Sequence, residues 1–294
     1  MRSRIDLSDL HFNFDEEESS HLPPIVVRHI STFEHKLSSV ISAICPTSEN
    51  VAWIACNSDA TVVHYQIDGR ERKRISTDFY VDDMKVTRNG NLLVAPDTGH
   101  AIKFLDVQST DVIDFANVHP FATRGLHISD ENDIYVSIRS ETTAKVVKMT
   151  SAGEVVRELQ RDRANVPLYS DPDKIAVNSH GDVIVLDWAT KCVTSVDVYG
   201  RYRFKYNGKI KKGVHCESFA PTDLVCDKYD NILICDCDNN AVHMLNRHGQ
   251  FLRFLISQEN GVTCPSALAL DNEGQLWLGE MNGQVHVIEY YANK

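Results

Sequence analysis

An internal repeat constrains the fold of this chain more than any other feature of its sequence. In six copies, an apolar residue stands six positions before a Gly, Asn or Asp, and successive copies lie 40 to 49 residues apart. The six apolar anchors are Ile44, Met84, Leu126, Ile175, Leu224 and Leu268. A period of this length is typical of β-propellers, in which each repeat forms one blade.

Each copy contains four short apolar runs separated by turn residues. The runs are β-branched and aliphatic, as in Val183–Val185 and Ile232–Ile234, and they are too short for helices. The third run begins with an aliphatic residue in every copy, namely Val62, Ile102, Val146, Val193, Val242 and Val285. No 3.6-residue apolar stripe interrupts this pattern. The sequence therefore predicts an all-β, six-bladed propeller of four-stranded antiparallel blades.

The two ends of the chain predict how the ring closes. The sixth copy supplies three strands and lacks an outer one, whereas residues 25–33 form a strand-like run before the first copy. We expect this run to join the last blade, because an open ring would leave two unpaired strand edges. Residues 1–24, with Asp15–Glu18, are predicted to be an acidic, flexible linker, and residues 25–294 the propeller.

The fifth copy resembles an NHL repeat. It has the proline Pro221, a strand ending in Val225-Cys226-Asp227, a second strand ending in Asp236, the motif Asn239-Asn240-Ala241-Val242 and a Gly249 turn. The domain is similar to the C-terminal propeller of NHL-type tripartite-motif (TRIM) proteins. The resemblance implies a domain that recognises a protein or a structured RNA. The zinc-binding RING and B-box modules of that family are absent here, since no cysteine precedes Ile25.

Composition narrows the class of partner and the compartment. The 294 residues carry a net charge of −11, which argues against a general nucleic-acid binder. The N-terminal segment lacks the apolar region of a secretory signal, and no apolar run is long enough to span a membrane. Without a secretory signal we expect the eight cysteines to be reduced thiols and the protein to be cytoplasmic. The absence of a Cys-x-x-Cys pair argues against a zinc site.

Two sets of polar residues are candidates for catalytic groups. Asp187 and Asp236 both end a second strand, and recurrence in register indicates a shared structural role in turns. His127 is the only histidine expected on an innermost strand, so the histidines predicted on third strands cannot meet it at one ion; these are His64, His243 and His286. We therefore expect no metal, no cofactor and no enzymatic activity.

The face that carries the connections between blades is the predicted partner-binding surface. The run from Arg201 to Lys212 is basic, contains no acid and is interleaved with Tyr202, Phe204 and Tyr206. In Arg201–Lys205 we expect an outer strand with Tyr202 and Phe204 turned inward. The candidate contact residues on the face are Tyr80, Arg124, Arg139, Tyr169, Trp188, Lys191, Lys209, Lys211, Lys212 and Phe219.

These observations predict a non-catalytic recognition module that binds a protein through one face of the ring, similar to the substrate-recognition domain of TRIM-type ubiquitin ligases. Basic residues interleaved with aromatics also suit RNA, and an RNA-binding propeller is the first alternative. A metal-dependent propeller hydrolase or lyase is the second. The sequence contains no coiled coil, and it leaves the oligomeric state open.

Overall fold

The computed structural model describes residues 23–35, 39–47, 50–209 and 218–291. Nearly all of the regular secondary structure in these ranges is β-strand. The strands form six antiparallel sheets of four; in five of them the strands follow sequence order from the inside outward, and in the sixth the first strand of the described chain is outermost. A single 3₁₀ turn at Gln258–Asn260 is the only helical element in these ranges. The predicted all-β, six-bladed propeller is confirmed.

The strands follow the predicted copies closely. Blade 1 consists of β2 (Ile41–Thr47), β3 (Val51–Cys56), β4 (Thr61–Gln66) and β5 (Glu71–Ser76), and blade 2 of β6 (Val81–Val86), β7 (Leu92–Pro96), β8 (Ala101–Leu105) and β9 (Val112–Asn117). Blade 3 consists of β10 (Ala122–Ile128), β11 (Ile134–Arg139), β12 (Ala144–Met149) and β13 (Val155–Leu159), and blade 4 of β14 (Pro172–Val177), β15 (Val183–Asp187), β16 (Cys192–Val196) and β17 (Tyr202–Tyr206). Blade 5 consists of β18 (Pro221–Cys226), β19 (Ile232–Asp236), β20 (Ala241–Leu245) and β21 (Phe251–Ile256), and blade 6 of β22 (Pro265–Leu270), β23 (Leu276–Glu280), β24 (Gln284–Tyr291) and β1 (Ile25–Glu34).

The turn residues of the repeat adopt the left-handed conformation for which Gly, Asn and Asp are suited. All six residues that lie six positions after an anchor have positive φ, between 55° and 81°: Asn50, Gly90, Asn132, Gly181, Asp230 and Gly274. The turns between the third and fourth strands also have a positive-φ glycine in blades 1, 3, 4 and 5, seven residues after the start of the third apolar run; these are Gly69, Gly153, Gly200 and Gly249. In blade 2, where Ser109 stands at that place, the positive φ falls one residue later, on Thr110.

The ring closes through the N-terminal strand, as predicted. β1 pairs with β24 in antiparallel register from Ile25 opposite Tyr291 to Glu34 opposite Gln284. This makes β1 the outer strand of a blade whose other three strands come from the opposite end of the described chain. The division into an acidic linker of residues 1–24 and a propeller of residues 25–294 stays a prediction, and residues 1–22 lie outside the described residues.

The hydrophobic core lies between the blades. Six buried clusters occur, and each combines side chains of two adjacent blades. Trp277 of blade 6 packs with Ile54 and Tyr65 of blade 1, and Trp53 of blade 1 packs with Met84 of blade 2. The two tryptophans lie at equivalent places on the second strands of their blades, and both fill the space between neighbouring blades.

The innermost strands β2, β6, β10, β14, β18 and β22 contact one another in order around the ring, including β22 with β2. They surround the central channel. We call the face where these strands begin the top, and the face where they end the bottom. The top carries the connections between blades and between second and third strands, and the bottom carries the turns between first and second strands.

Two expectations about particular side chains are wrong. On β17, Tyr202 is 55% exposed instead of packing inward; Phe204 is half-buried and packs against blade 5. Cys237 and Cys264 form a disulfide between the top connections of blades 5 and 6, so not all thiols are reduced. Their Cα atoms are 3.9 Å apart although 27 residues separate them in sequence, so linear spacing gave no sign of the pair.

No helix in the described part of the chain is long and apolar enough to cross a membrane.

Candidate active site at the top mouth of the channel

A repeated hydroxyl joins neighbouring blades at the top of the channel. We call the residue two places before each anchor the mouth position. Ser42, Thr222 and Ser266 occupy it in blades 1, 5 and 6, and each hydroxyl donates to a backbone carbonyl at the start of the next blade's inner strand. The three bonds are 2.6 to 2.8 Å long, and Ser266 makes the one that closes the ring onto Ile41.

Blades 2, 3 and 4 carry ionisable residues at the mouth position instead. These are Asp82, Arg124 and Asp173, which come from three consecutive blades. Arg124 Nη1 donates to Asp82 Oδ2 over 2.9 Å, and both side chains keep partial solvent access. Three consecutive blades therefore carry two carboxyl groups and a guanidinium at the position where the other three blades carry a hydroxyl that joins neighbouring blades.

Asp173 is the most perturbed carboxyl of this group. Burial raises its pKa to about 6, and the negative charges of Asp82 and Asp83 act in the same direction against the opposing effect of Lys174 and Arg124. A carboxyl with this pKa exchanges its proton near neutral pH, as a general acid or base must. Burial opposes the charge of Arg124, but Asp82 raises the pKa of the guanidinium, so it stays cationic.

A second layer of ionisable residues lies directly beneath the mouth, where Asp83, Lys174 and Asp223 precede the anchors of blades 2, 4 and 5. Asp83 and Asp223 occupy equivalent places, and each accepts a backbone N–H from its own anchor and another from the anchor of the next blade, Leu126 or Leu268. This recurrence marks both as structural. Burial would raise the pKa of Asp83, but Lys174 and Lys85 hold it below its usual value.

Lys174 crosses the channel and supports the mouth from below. Its buried Nζ donates to the carbonyls of Ser42 over 2.8 Å and Asp82 over 2.6 Å, and lies 3.8 Å from Asp83 Oδ1. Burial opposes its charge, but the channel carboxylates raise the pKa of Lys174 and keep it cationic. The ammonium links blade 4 to blades 1 and 2 and thereby fixes the backbone that carries Asp82.

The backbone of blade 3 approaches that of blade 4 where Asp173 begins its strand. A Cβ on Gly125 would lie 2.0 Å from the Asp173 carbonyl oxygen, so only glycine fits there. The Ser137 hydroxyl donates to the same carbonyl. Both contacts position Asp173 relative to Arg124, which precedes Gly125.

The predicted contact residues separate into several groups. Tyr80 and Trp188 are exposed, at 44% and 54%, and Lys191 and Lys209 are also on the surface. Arg139 Nη1 pairs with Asp171 over 2.8 Å, and Arg124 pairs with Asp82. Lys211 and Lys212 lie outside the described residues.

Tyr169 and Phe219 are not surface residues, and their selection as partner contacts is wrong. They are 5% and 7% exposed because each packs into a cluster between adjacent blades. Sequence composition near a connection does not reveal which aromatic ring turns into such an interface.

The recurrent carboxylates have the structural role inferred from their register. Asp187 accepts N–H groups from Ser170, Asp171 and Thr190, and Glu280 accepts one from Thr263. His243 and His286 lie on third strands beside Asp236 and Glu280 and are buried. His127 lies on β10 at the other end of the channel, and burial, aided by Lys85, lowers its pKa to about 3, so it is neutral at pH 7.

The channel donors do not suit a divalent metal. Within the described residues, no three His, Cys, Asp or Glu side chains converge as a metal site requires. The cations of Lys174 and Arg124 lie among the carboxylates instead, and Asp83 and Asp223 already accept backbone N–H groups.

No protein-family model matches the chain, and no curated protein sequence matches it. Several solved structures share its architecture. A streptogramin B lyase is 11% identical, with 90% of this chain and 98% of that chain covered and a TM-score of 0.64. A gluconolactonase from Xanthomonas campestris is 12% identical, with 92% and 97% covered and a TM-score of 0.68. A luciferin-regenerating enzyme is 10% identical, with 91% and 95% covered and a TM-score of 0.67.

These neighbours correct the functional expectation. They are enzymes, which contradicts the prediction of a non-catalytic recognition module. At identities of 10 to 12%, the structural likeness shows the shared fold alone, and any activity depends on the residues of this chain. Arg124 is among the predicted contact residues, whereas Asp82 and Asp173 are not. Both were detectable, because the mouth positions aligned by anchor read Ser, Asp, Arg, Asp, Thr and Ser.

Proposed function

We propose that the protein is a hydrolase or lyase that acts on a small carbonyl compound at the top mouth of the channel. The observation that supports this most directly is the replacement of the blade-joining hydroxyl by Asp82, Arg124 and Asp173 in three consecutive blades. Residues that recur around a ring serve its structure, whereas a local departure that places partly exposed ionisable groups at the channel mouth is typical of a functional site.

Asp173 is the acid–base residue of this proposal. Above a pH of about 6 its carboxylate accepts a proton, either from an attacking water in hydrolysis or from a carbon beside the carbonyl in elimination. The protonated carboxyl then returns the proton to the leaving oxygen. One group thus serves both halves of the reaction.

Arg124 stabilises the negative charge that develops on the carbonyl oxygen. Its Nη1 is engaged by Asp82, so the guanidinium is oriented before the substrate arrives. Asp82 is a positioning residue, and the Ser137 and Gly125 contacts hold the Asp173 backbone beside it.

Activity assays test the proposal with substrates of the two neighbour classes. Hydrolysis of gluconolactone is followed by pH-stat, and cleavage of a streptogramin B by mass spectrometry. We expect kcat/KM to rise with pH through about 6, and Asp173→Asn to lower it roughly 10²- to 10⁴-fold. Arg124→Gln should lower it about 10²- to 10³-fold.

Glu141→Gln is the matched control, because Glu141 is an exposed acid on the top face and should leave the rate unchanged. Turnover that survives Asp173→Asn at the wild-type rate contradicts the proposal, and so does a wild-type protein that cleaves neither a lactone nor a cyclic ester. The NHL type of the repeat and the cytoplasmic location stay predictions.

A further inference from the structure

A repeated backbone contact surrounds the mouth of the channel. In five blades, the residue after the second strand donates its N–H to the carbonyl of the residue four places before the anchor, over 2.9 to 3.1 Å. We call the two bonded residues the rim pair of their blade. The pairs, donor first, are Asn57 and Val40, Asp97 and Tyr80, Trp188 and Asp171, Cys237 and Ala220, and Met281 and Cys264. The acceptor in each pair lies two residues before the mouth position, so the rim pairs border the mouth residues.

Two rim pairs carry an exposed aromatic ring. Tyr80 in blade 2 is 44% exposed and Trp188 in blade 4 is 54% exposed, whereas the other three pairs contain no aromatic residue. Blades 2 and 4 are also the two blades with a carboxyl group at the mouth position, Asp82 and Asp173. Two separate positions of the repeat therefore depart from the other blades in the same place, which connects the rings with the ionisable residues.

The rings of Tyr80 and Trp188 are not used by the fold. Among the described residues, neither ring stacks on another ring, lies under a cation or forms a hydrogen bond. Phe121, in the connection that leads into blade 3, differs because the Lys145 ammonium covers it, 4.5 Å from the ring centroid. Large aromatic side chains that stay exposed without such contacts are typical of surfaces that bind another molecule.

The backbone beneath Trp188 is held in place by one buried carboxylate. Oδ1 of Asp187 accepts the N–H and the hydroxyl of Thr190, both over 2.9 Å. Oδ2 of Asp187 accepts the N–H groups of Ser170 and Asp171, over 2.6 and 3.1 Å. Asp187 thus fixes both partners of the rim pair, so the Trp188 backbone is ordered before any ligand arrives.

Trp188 lies within reach of the ionisable residues at the mouth. Its rim partner Asp171 precedes Asp173 by two residues, and two strand residues span about 7 Å. A substrate of the size of one sugar ring can therefore rest on the indole while its carbonyl group lies at Asp173 and Arg124.

We propose that Trp188 is the specificity-determining residue of the mouth and that it selects cyclic esters over open-chain esters. A ring presents a flat face of C–H groups to the indole, and it loses fewer rotamers on binding than an open chain does. Tyr80 supplies a second contact on the opposite side of Arg124. The inference rests on the activity proposed above and names the feature by which that site recognises its substrate.

Fluorescence quenching tests the contact without turnover. The chain has three tryptophans, and Trp53 and Trp277 are only 3% and 0% exposed, so acrylamide should quench the emission of Trp188 selectively. In the Asp173→Asn variant, we expect δ-valerolactone to protect this emission. Ethyl propionate, an open-chain ester with the same number of carbon atoms, should require a concentration about tenfold higher. Trp188→Phe should remove the quenchable emission and thereby identify its source.

Steady-state kinetics separates substrate recognition from a structural role. Trp188→Ala should raise KM for δ-valerolactone about tenfold and change kcat less than about twofold, because the indole binds the ground state and the transition state alike. The kcat/KM for ethyl propionate should change less than about twofold. Trp188→Phe should keep most of the wild-type affinity, because it retains a ring. A structural role for Trp188 would instead lower kcat for both esters together with the thermal midpoint.

Tyr199→Ala is the matched control, because Tyr199 is 65% exposed in the turn between β16 and β17 of the same blade and should affect neither measurement. An equal loss of affinity for both esters in Trp188→Ala overturns the inference, and so does quenching that the lactone does not reduce. Protection of Trp188 in a protein that hydrolyses neither ester supports the contact and contradicts the proposed activity. Hydrolysis of the lactone without protection does the reverse.

Discussion

The side chain at the mouth position of each blade is one of two kinds. It is either a hydroxyl that joins the blade to the next one, or an ionisable group that lies in the channel. Ser42, Thr222 and Ser266 are of the first kind, and each hydrogen bond contributes about 1 kcal/mol to the free energy of unfolding. Asp173 is of the second kind, and burial disfavours the charged form of its carboxyl. Functional groups are commonly maintained at such a cost in stability.

Asp173→Asn should therefore stabilise the protein while lowering the activity proposed for the mouth. The folded pKa of about 6 lies above the unfolded value of 3.8, so ionisation of Asp173 costs stability as pH rises from 4 to 6. We expect the variant to gain roughly 1 to 3 kcal/mol at pH 7.5, with no difference below pH 4. Urea denaturation at both pH values measures this, and a wild type as stable as the variant at pH 7.5 contradicts it.

His127 should make the fold sensitive to acid. Its pKa is about 3 in the folded chain and 6.5 in the unfolded chain. Between pH 3 and pH 6.5 the unfolded chain therefore binds a proton at this residue and the folded chain does not. Stability contributed by the neutral imidazole is complete above pH 6.5 and is lost as pH falls towards 3. His127→Gln should flatten the dependence of thermal midpoint on pH across this window, and an unchanged slope would count against the burial of the neutral ring.

At the level of elements, the strand β1 carries a role that its composition does not suggest. Its residues alternate between exposed and half-buried, so it contributes little core, yet it pairs with β24 along nearly its whole length. Without it, β24 presents an unpaired edge and blade 6 loses its outer strand.

Removal of residues 1–34 should lower the thermal midpoint by more than 10 °C, roughly the effect of a few kcal/mol in a chain of this size. A synthetic peptide of residues 25–34 should restore part of the loss by adding back the strand. Removal of residues 1–20 is the control and should leave the midpoint unchanged. A chain shortened by 34 residues that melts at the wild-type midpoint would show that closure does not depend on β1.

Much of this element level was predictable, because turns and alternation are local properties. The six turn residues with positive φ, from Asn50 to Gly274, were identifiable by residue type and spacing. The displaced turn at Thr110 was not, since Ser109 gives no glycine to mark the place. The exposed Tyr202 also escaped prediction, because an outer strand has two partly solvated faces and alternation does not say which is wetter.

At the level of the whole molecule, the ring is held by six similar interfaces and one shared blade. Each core cluster joins two neighbours, so no blade buries its apolar faces alone. Blade 6 differs because it contains both ends of the described chain, with Ile25 opposite Tyr291. Sharing a blade between the ends adds a strand ladder to the closing contact.

Two circular permutants test the value of that sharing. Both join the original ends; one opens at the turn within blade 3 near residue 152, and the other opens between blades 3 and 4 near residue 164, both exposed. The first again divides one blade between the ends, and the second does not. We expect the first to melt several degrees higher, and equal midpoints would mean that the blade interfaces alone close the ring.

The repeat pattern was sufficient for the number of blades, the order of strands and the closing strand, because turn conformation and alternation depend on residues near one another in sequence. The channel was different. Asp82, Arg124 and Asp173 are about 90 residues apart at most and become neighbours only when three blades stand side by side, and Cys237 meets Cys264 for the same reason. The aromatic rings of Tyr169 and Phe219 likewise turned inward because two blades needed filling between them. Burial, which also shifts the pKa of Asp173, is a property of the closed ring, and no local segment carries it.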